Sequence, residues 1–569
     1  MLQKNLCRRL LSAVLILIML FCMVACAADE PITSRVRKKT TATTKPVMAT
    51  VQSTTISTQP TTPSTTPVQP VEPPVDSGTL VFTLTQADVD EFYTLLNELE
   101  QLCLVGQDLN AIDDASDAVD ESYTYLRAQR SIAMILHYCH TSDEALEKQY
   151  LDASDIFIDA YDAYLQATRR VYQSNTPAKD YLFKDWTAAE IAQLLAYDEK
   201  VAQLQQRNTE ISVSYRTSQD DDEKIKLYIE FVQNNNQIAQ IYGYENYYAY
   251  AYELEYGRDY GQTEVNQLRN YARNYLPGIM TAALNGFYDT YDNMSFTEYY
   301  QWSDFLDADY DDLDMNYVTW YMQNAAGTNL SGAINSMLTN DSLFADADDA
   351  EQGAFTTTIG ERVFCYYGPG YASSNTVIHE AGHYYAAQYT NLNDIPLDLA
   401  EVHSQGNEWL FMSSLSSVLP GTVYEGIVRY TLFDNVIMMM VCLMVDEFEE
   451  IVYTTDLTGF TAADFDAIME QVANKYFPNN GFAEYVDMQN YWRQVVVEQP
   501  VYYISYAVSS IGAISLFLEA EKDFAQAQSI YQWLCESYDP DDGFLTILTT
   551  AGLYTPFDEE FYITLQQAV

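Results

Sequence analysis

Two histidines stand four residues apart in Val377-Ile378-His379-Glu380-Ala381-Gly382-His383. A helix turns about 100° per residue, so His379 and His383 lie one above the other and can each offer a ring nitrogen to one metal ion. Glu380 sits beside them, placed to take a proton from a metal-bound water. Zinc that does chemistry needs a third protein ligand and an open position. Glu401, His403 and Glu408 follow closely enough to supply it. Glu408, two turns after Glu401, shares its helical face, whereas His403 points roughly 200° away from Glu401. The two glutamates can therefore act together, and His403 cannot join them. With 5 histidines in 569 residues, this spacing is not a product of histidine abundance. Gly382 costs a helix interior about 1 kcal/mol, which implies a close approach there.

The elements that must hold these side chains read as predominantly helical. Thr85-Gln86-Ala87-Asp88, Thr187-Ala188-Ala189-Glu190 and Thr461-Ala462-Ala463-Asp464 have the hydroxyl-x-x-acid form of a capping box, which satisfies amides that a first turn leaves free. Ile225, Tyr228, Ile229, Val232 and Ile238 recur at helical intervals. One stretch departs from this pattern: residues 362–370, just before the histidine pair, are strand-like and end in a turn. A free edge at Tyr366, Tyr367 and Gly368 would pair with the backbone of an extended peptide; the alternative is a core strand in a small sheet. The apolar run 437–445 meets Asp446-Glu447 too soon to cross a membrane. His137 and His140 have no acidic or cysteine partner at ligand spacing and read as surface histidines of a helix.

Composition narrows the class. The chain has 81 acidic against 28 basic side chains, a net charge of −53, and its first 79 residues are relatively rich in the basic ones. Such acidity excludes nucleic acid as a partner and favours solubility outside the cell. Export is the expectation from the start of the chain, where Lys4, Arg8 and Arg9 precede an apolar run from 10 to 25. Met23-Val24-Ala25-Cys26 has the form of a bacterial lipobox, so residues 1–25 are read as a lipoprotein signal peptide and Cys26 as a lipid anchor to the membrane. Residues 26–79 form the next unit, and 8 of the 17 prolines fall between 31 and 79 among Thr and Ser. That composition cannot bury enough apolar surface to offset its ordering entropy, which predicts a disordered stalk. The globular remainder is long enough for two lobes, taken as an N-terminal helical lobe at 80–224 and a metal-bearing domain at 225–569. Cys103, Cys139, Cys365, Cys442 and Cys535 are odd in number and widely spaced, which predicts buried thiols rather than a disulfide framework.

Around the metal residues the chain resembles the oligoendopeptidase F and thimet oligopeptidase family of zinc metallopeptidases, on the oligoendopeptidase F side. The resemblance is carried by Ile378-His379-Glu380-Ala381-Gly382-His383, by the run from Asp394 to Ser404 with Asn407-Glu408, by Val445-Asp446-Glu447-Phe448-Glu449 and by Pro500-Val501-Tyr502-Tyr503-Ile504-Ser505-Tyr506-Ala507. Weaker likeness at Ile238-Ala239, Gly243-Tyr244 and Arg258-Asp259 extends it to roughly 225–520. It implies one Zn²⁺ per chain on His379, His383 and Glu401, with Glu380 as general base and Tyr503 and Tyr506 binding substrate and steadying the oxyanion. The implied fold is mainly α: a two-lobed helical bowl with a deep substrate channel and a small β-sheet beside the zinc helix. The chain departs from the family in three ways. The interval from His383 to Glu401 is several residues shorter, so spacing alone sets Glu408 in the ligand's place while residue context sets Glu401 there; Glu408 is then expected to support a ligand. No histidine stands near Val496, where the family often has one. His403 replaces a small residue or proline and is expected to line the cleft.

These readings converge on zinc-dependent hydrolysis of short unstructured peptides at the bacterial cell surface. Two others stand beside it: a peptide-binding lipoprotein of the same fold with weak turnover, and a zinc amidase acting on cell-wall peptides. The intact Glu380 argues against the binding protein.

Overall fold

The computed structural model describes residues 80–569, apart from 106–107, 175, 185–187, 197–199, 296, 299–314, 372, 393–394, 478–491, 494–495, 498 and 540–541. The signal peptide, Cys26, the stalk and Thr187 lie outside the described residues.

Three long helices come first: α1 (Gln86–Val105), α2 (Leu109–Cys139) and α3 (Glu144–Gln173). The Asp88 carboxylate accepts the Thr85 backbone amide and hydroxyl, each at 2.7 Å, which closes the start of α1. Asp143 caps α3 through the amide of Ala145 at 2.8 Å. These helices pack on one another around Val89, Phe92, Leu96, Val119, Leu126 and Ala160. After two short helices, Pro177–Leu182 and Ala188–Ala196, come α4 (Lys200–Thr217) and α5 (Asp221–Ile241), whose apolar residues join a far larger core. Ile225, Tyr228, Val232 and Ile238 are buried there and Ile229 is half-buried. The lobe boundary expected between 224 and 225 thus falls inside α5, because the periodic signal at 225 marks the second turn of a helix rather than the start of a unit.

The large core is built on α6 (Gln262–Asn293), α7 (Ser374–Ala386), α8 (Leu397–Ser414), α9 (Gly421–Thr454) and α10 (Ile504–Ala520), followed by α11 (Phe524–Glu536). The 437–445 run lies within α9, which is long and apolar enough for a span by length and composition, yet 78% of its apolar window is buried in the fold. Its acidic residues are used internally: Asp446 accepts from Tyr252 at 2.6 Å and pairs with the buried Arg269. A later helix, Ala462–Tyr476, begins with Asp464 accepting the Thr461 amide and hydroxyl. All five described cysteines are buried free thiols.

Three strands form the small sheet: β1 (Ser342–Phe344), β2 (Ala354–Ile359) and β3 (Arg362–Tyr367), in the order β1-β3-β2. β3 is therefore central, parallel to β1 and antiparallel to β2. The expected free edge at Tyr366, Tyr367 and Gly368 is corrected: both tyrosines are fully buried, and the Gly368 amide donates to the Gly353 carbonyl at 2.7 Å. β1 is only three residues long and shows no alternation, so nothing in the sequence announced a second neighbour for β3. β2, an edge strand, packs on α7.

Candidate metal centre

The turn at Gly370, with φ of 79°, ends the strand segment, and Ser373 then caps α7 by accepting the Thr376 amide at 3.2 Å. α7 lies against α8 with backbones in contact. A Cβ on Gly382 would fall 2.3 Å from the His403 carbonyl oxygen, so only glycine permits this approach. Asn407 ties the pair by donating to the Ile378 carbonyl at 2.7 Å.

This contact sets Glu401 beside both histidines. Its Oε2 is 3.8 Å from His379 Nε2 and 3.8 Å from His383 Nε2. One ligand atom from each of the three lies within 4.8 Å of the others, and no other such group of three exists among the described residues. Ligands on a tetrahedral zinc are about 3.4 Å apart at bond lengths near 2.1 Å. The Glu401 oxygen, at 3.8 Å from each histidine nitrogen, is within about 0.4 Å of that spacing. Both ring nitrogens of His383 are buried with no hydrogen-bond partner, a cost that a metal ion removes for one of them. The Ala400 carbonyl acts weakly on this ring but falls short of hydrogen-bond geometry. The donor set fits zinc. His379 keeps 17% side-chain exposure while His383 and Glu401 have none, so the centre opens to solvent on the His379 side.

The surroundings complete the geometry. Glu408 Oε1 is 2.5 Å from His379 Nδ1 and its other oxygen accepts from Asn375 at 2.8 Å. A carboxylate on Nδ1 fixes the tautomer that leaves Nε2 free to bind metal. Ser404 donates to Glu401 Oε2 at 3.1 Å and the Tyr502 hydroxyl to Oε1 at 3.2 Å. The Thr356 hydroxyl, from β2, donates to Glu380 Oε2 at 2.6 Å. Burial pushes the Glu380 carboxyl up to about 7, against the opposing pull of His379 and this hydrogen bond. Burial alone would lower the His379 imidazole, but the Glu408 hydrogen bond and charge, with Glu380 and Glu401, raise it to about 9.

Other residues fall elsewhere. His403 does not line a cleft: it is fully buried on the far face of α8, its Nε2 is 2.9 Å from the Leu534 carbonyl, and burial holds its ring near 4. Helical phase turned it away from the metal and into the α11 contact. Tyr503 and Tyr506 are buried at the start of α10, with ring centroids 6.1 Å apart. His140 Nδ1 is 3.7 Å from Asp349, and His137 stacks on Tyr150. Nothing in the sequence assigns a role to Thr356 or Tyr502: Thr356 lies in a strand with no catalytic pattern, and Tyr502 is one tyrosine of a tyrosine-rich segment.

Asp434, buried on α9, has its carboxyl pushed up to about 8 by burial and then by the charge of Glu408. The folded pKa exceeds the unfolded one, so the folded chain holds a proton that the unfolded chain has released. Its contribution to stability is full below about pH 4 and is lost as pH rises through about 8, at up to about 1.4 kcal/mol per pH unit. Asp434→Asn should therefore gain on the unaltered chain as pH rises over that window in denaturant titrations. A difference that does not change with pH would show that Asp434 is not protonated in the folded chain.

No family model and no curated protein matches the sequence. Solved structures do. PZ peptidase A, solved with an inhibitor, superposes with a TM-score of 0.66 at 16% identity, over 86% of this chain and 97% of that one. A structure described as an oligoendopeptidase F gives 0.65 at 16% identity, over 86% and 97%. Another so described, from Bacillus anthracis strain Ames, gives 0.63 at 15%, over 86% and 96%. The likeness at these identities is one of fold.

Proposed function

We propose, with the oligoendopeptidase F fold as premise, that this chain is a zinc-dependent peptidase acting on short unstructured peptides. The observation that carries the proposal is that His379, His383 and Glu401 converge beside Glu380 in that fold. A zinc ion held by those three would supply Lewis acidity, to polarise a peptide carbonyl and to acidify a water. Glu380 takes the proton of the attacking water and returns it to the leaving amine. Glu408 holds the His379 ring. A phenol from Tyr503 or Tyr506 donates to the carbonyl oxygen as it becomes negative. The reading extends to the cell surface: Cys26 anchors the chain through lipid, and the stalk at 26–79 holds the body off the membrane.

The test is cleavage of a mixed library of short linear peptides by the Zn²⁺-loaded full chain, with muropeptides assayed in parallel. Cleavage should fall to background with a chelator and return on adding Zn²⁺. No linear-peptide cleavage by a folded, zinc-loaded chain would overturn the reading, and turnover of muropeptides alone would make the chain a wall amidase.

A further inference from the structure

Val501, at φ of 63°, is the one non-glycine residue with positive φ among the described residues. For a β-branched side chain this is a costly conformation, and it persists only where its surroundings over-determine it. Here they do. The Val501 amide donates to Glu449 Oε1 on α9 at 2.9 Å. Its carbonyl accepts from Arg258 Nη2 at 2.9 Å, and the same nitrogen donates to Ser505 at 2.9 Å. The Tyr256 hydroxyl holds the preceding Pro500 carbonyl at 2.8 Å. The Arg258 guanidinium lies over the rings of Tyr252 and Tyr256, at 4.5 Å and 4.7 Å from their centroids. Glu449 and Arg258 are both buried, so neither is free to drift.

The residue thrown out by this turn is Tyr502, 2% exposed, whose hydroxyl donates to Glu401 Oε1. The other carboxylate oxygen, Oε2, is the one equidistant from the two histidines. Holding Oε1 fixes the carboxylate plane and presents Oε2 to the metal position. We propose that Tyr502 is a positioning residue for the Glu401 ligand, set in place by the strained Val501 turn that Glu449 and Arg258 pin. The proposal rests on the reading that His379, His383 and Glu401 hold the metal.

Affinity for Zn²⁺ is the decisive readout, measured on the full chain by competition with a chelating indicator, without reference to peptide cleavage. Tyr502→Phe removes only the hydroxyl and should weaken Zn²⁺ binding by about 10- to 100-fold, the scale of outer-sphere ligand support. Val501→Gly adopts the same φ without strain and should keep affinity within about two-fold. Tyr502→Phe binding Zn²⁺ as tightly as the unaltered chain would overturn the proposal. An unaltered chain that binds no Zn²⁺ would overturn the metal reading instead, whereas tight Zn²⁺ binding without peptide cleavage would remove only the peptidase reading.

Discussion

Glu380→Gln should leave a folded chain that binds Zn²⁺ and cleaves peptides about 10²- to 10⁴-fold more slowly, the range of a lost general base. Glutamine keeps the shape of the side chain and an oxygen to accept the Thr356 hydroxyl, which approaches to 2.6 Å in the unaltered chain. It cannot take up a proton. It also removes a carboxyl that burial already makes costly to ionise, so the melting temperature should hold or rise. Turnover of a quenched fluorescent peptide, metal content and thermal unfolding together decide the matter. Activity within tenfold of the unaltered chain would show that some other group moves the proton.

Gly382→Ala should damage the protein more than one methyl group suggests. The new Cβ would lie 2.3 Å from the His403 carbonyl oxygen and 2.7 Å from Ser404 Cα, both backbone atoms that cannot swing aside. α7 and α8 would have to part, loosening the Asn407 tie to Ile378 and drawing both histidines away from Glu401. Overpacking costs about 1–3 kcal/mol, and the better helix propensity of alanine returns about 1 kcal/mol of that. A lower melting temperature together with weaker Zn²⁺ binding is expected. A variant that melts as the unaltered chain and keeps its metal affinity would show that the helices yield at little cost.

The legible parts of this protein are those encoded by local periodicity. Spacing alone brings His379 and His383 together, sets Glu401 and Glu408 on one face and turns His403 away. The glycine between the histidines announces a close neighbour without naming it, and the neighbour is the backbone of His403. Contacts between distant parts of the chain leave no such trace. Thr356 reaches Glu380 from a strand, and Tyr502 reaches Glu401 from a segment 101 residues away. Strand order is equally silent, which is why β3 reads equally well as a free edge or a core strand and is found in the middle of the sheet. Helical phase says where His403 does not point; the Leu534 carbonyl that receives it belongs to the tertiary fold.

The contact between α7 and α8 also bears on how a metal would arrive. All three candidate ligands come from one short run of chain, His379 to Glu401, on two helices already pressed backbone to backbone. Little loop entropy remains to be lost when an ion enters. Loading is then a matter of ion entry past His379 and adjustment of side chains, not of helices assembling around an ion, so metal exchange should proceed without unfolding.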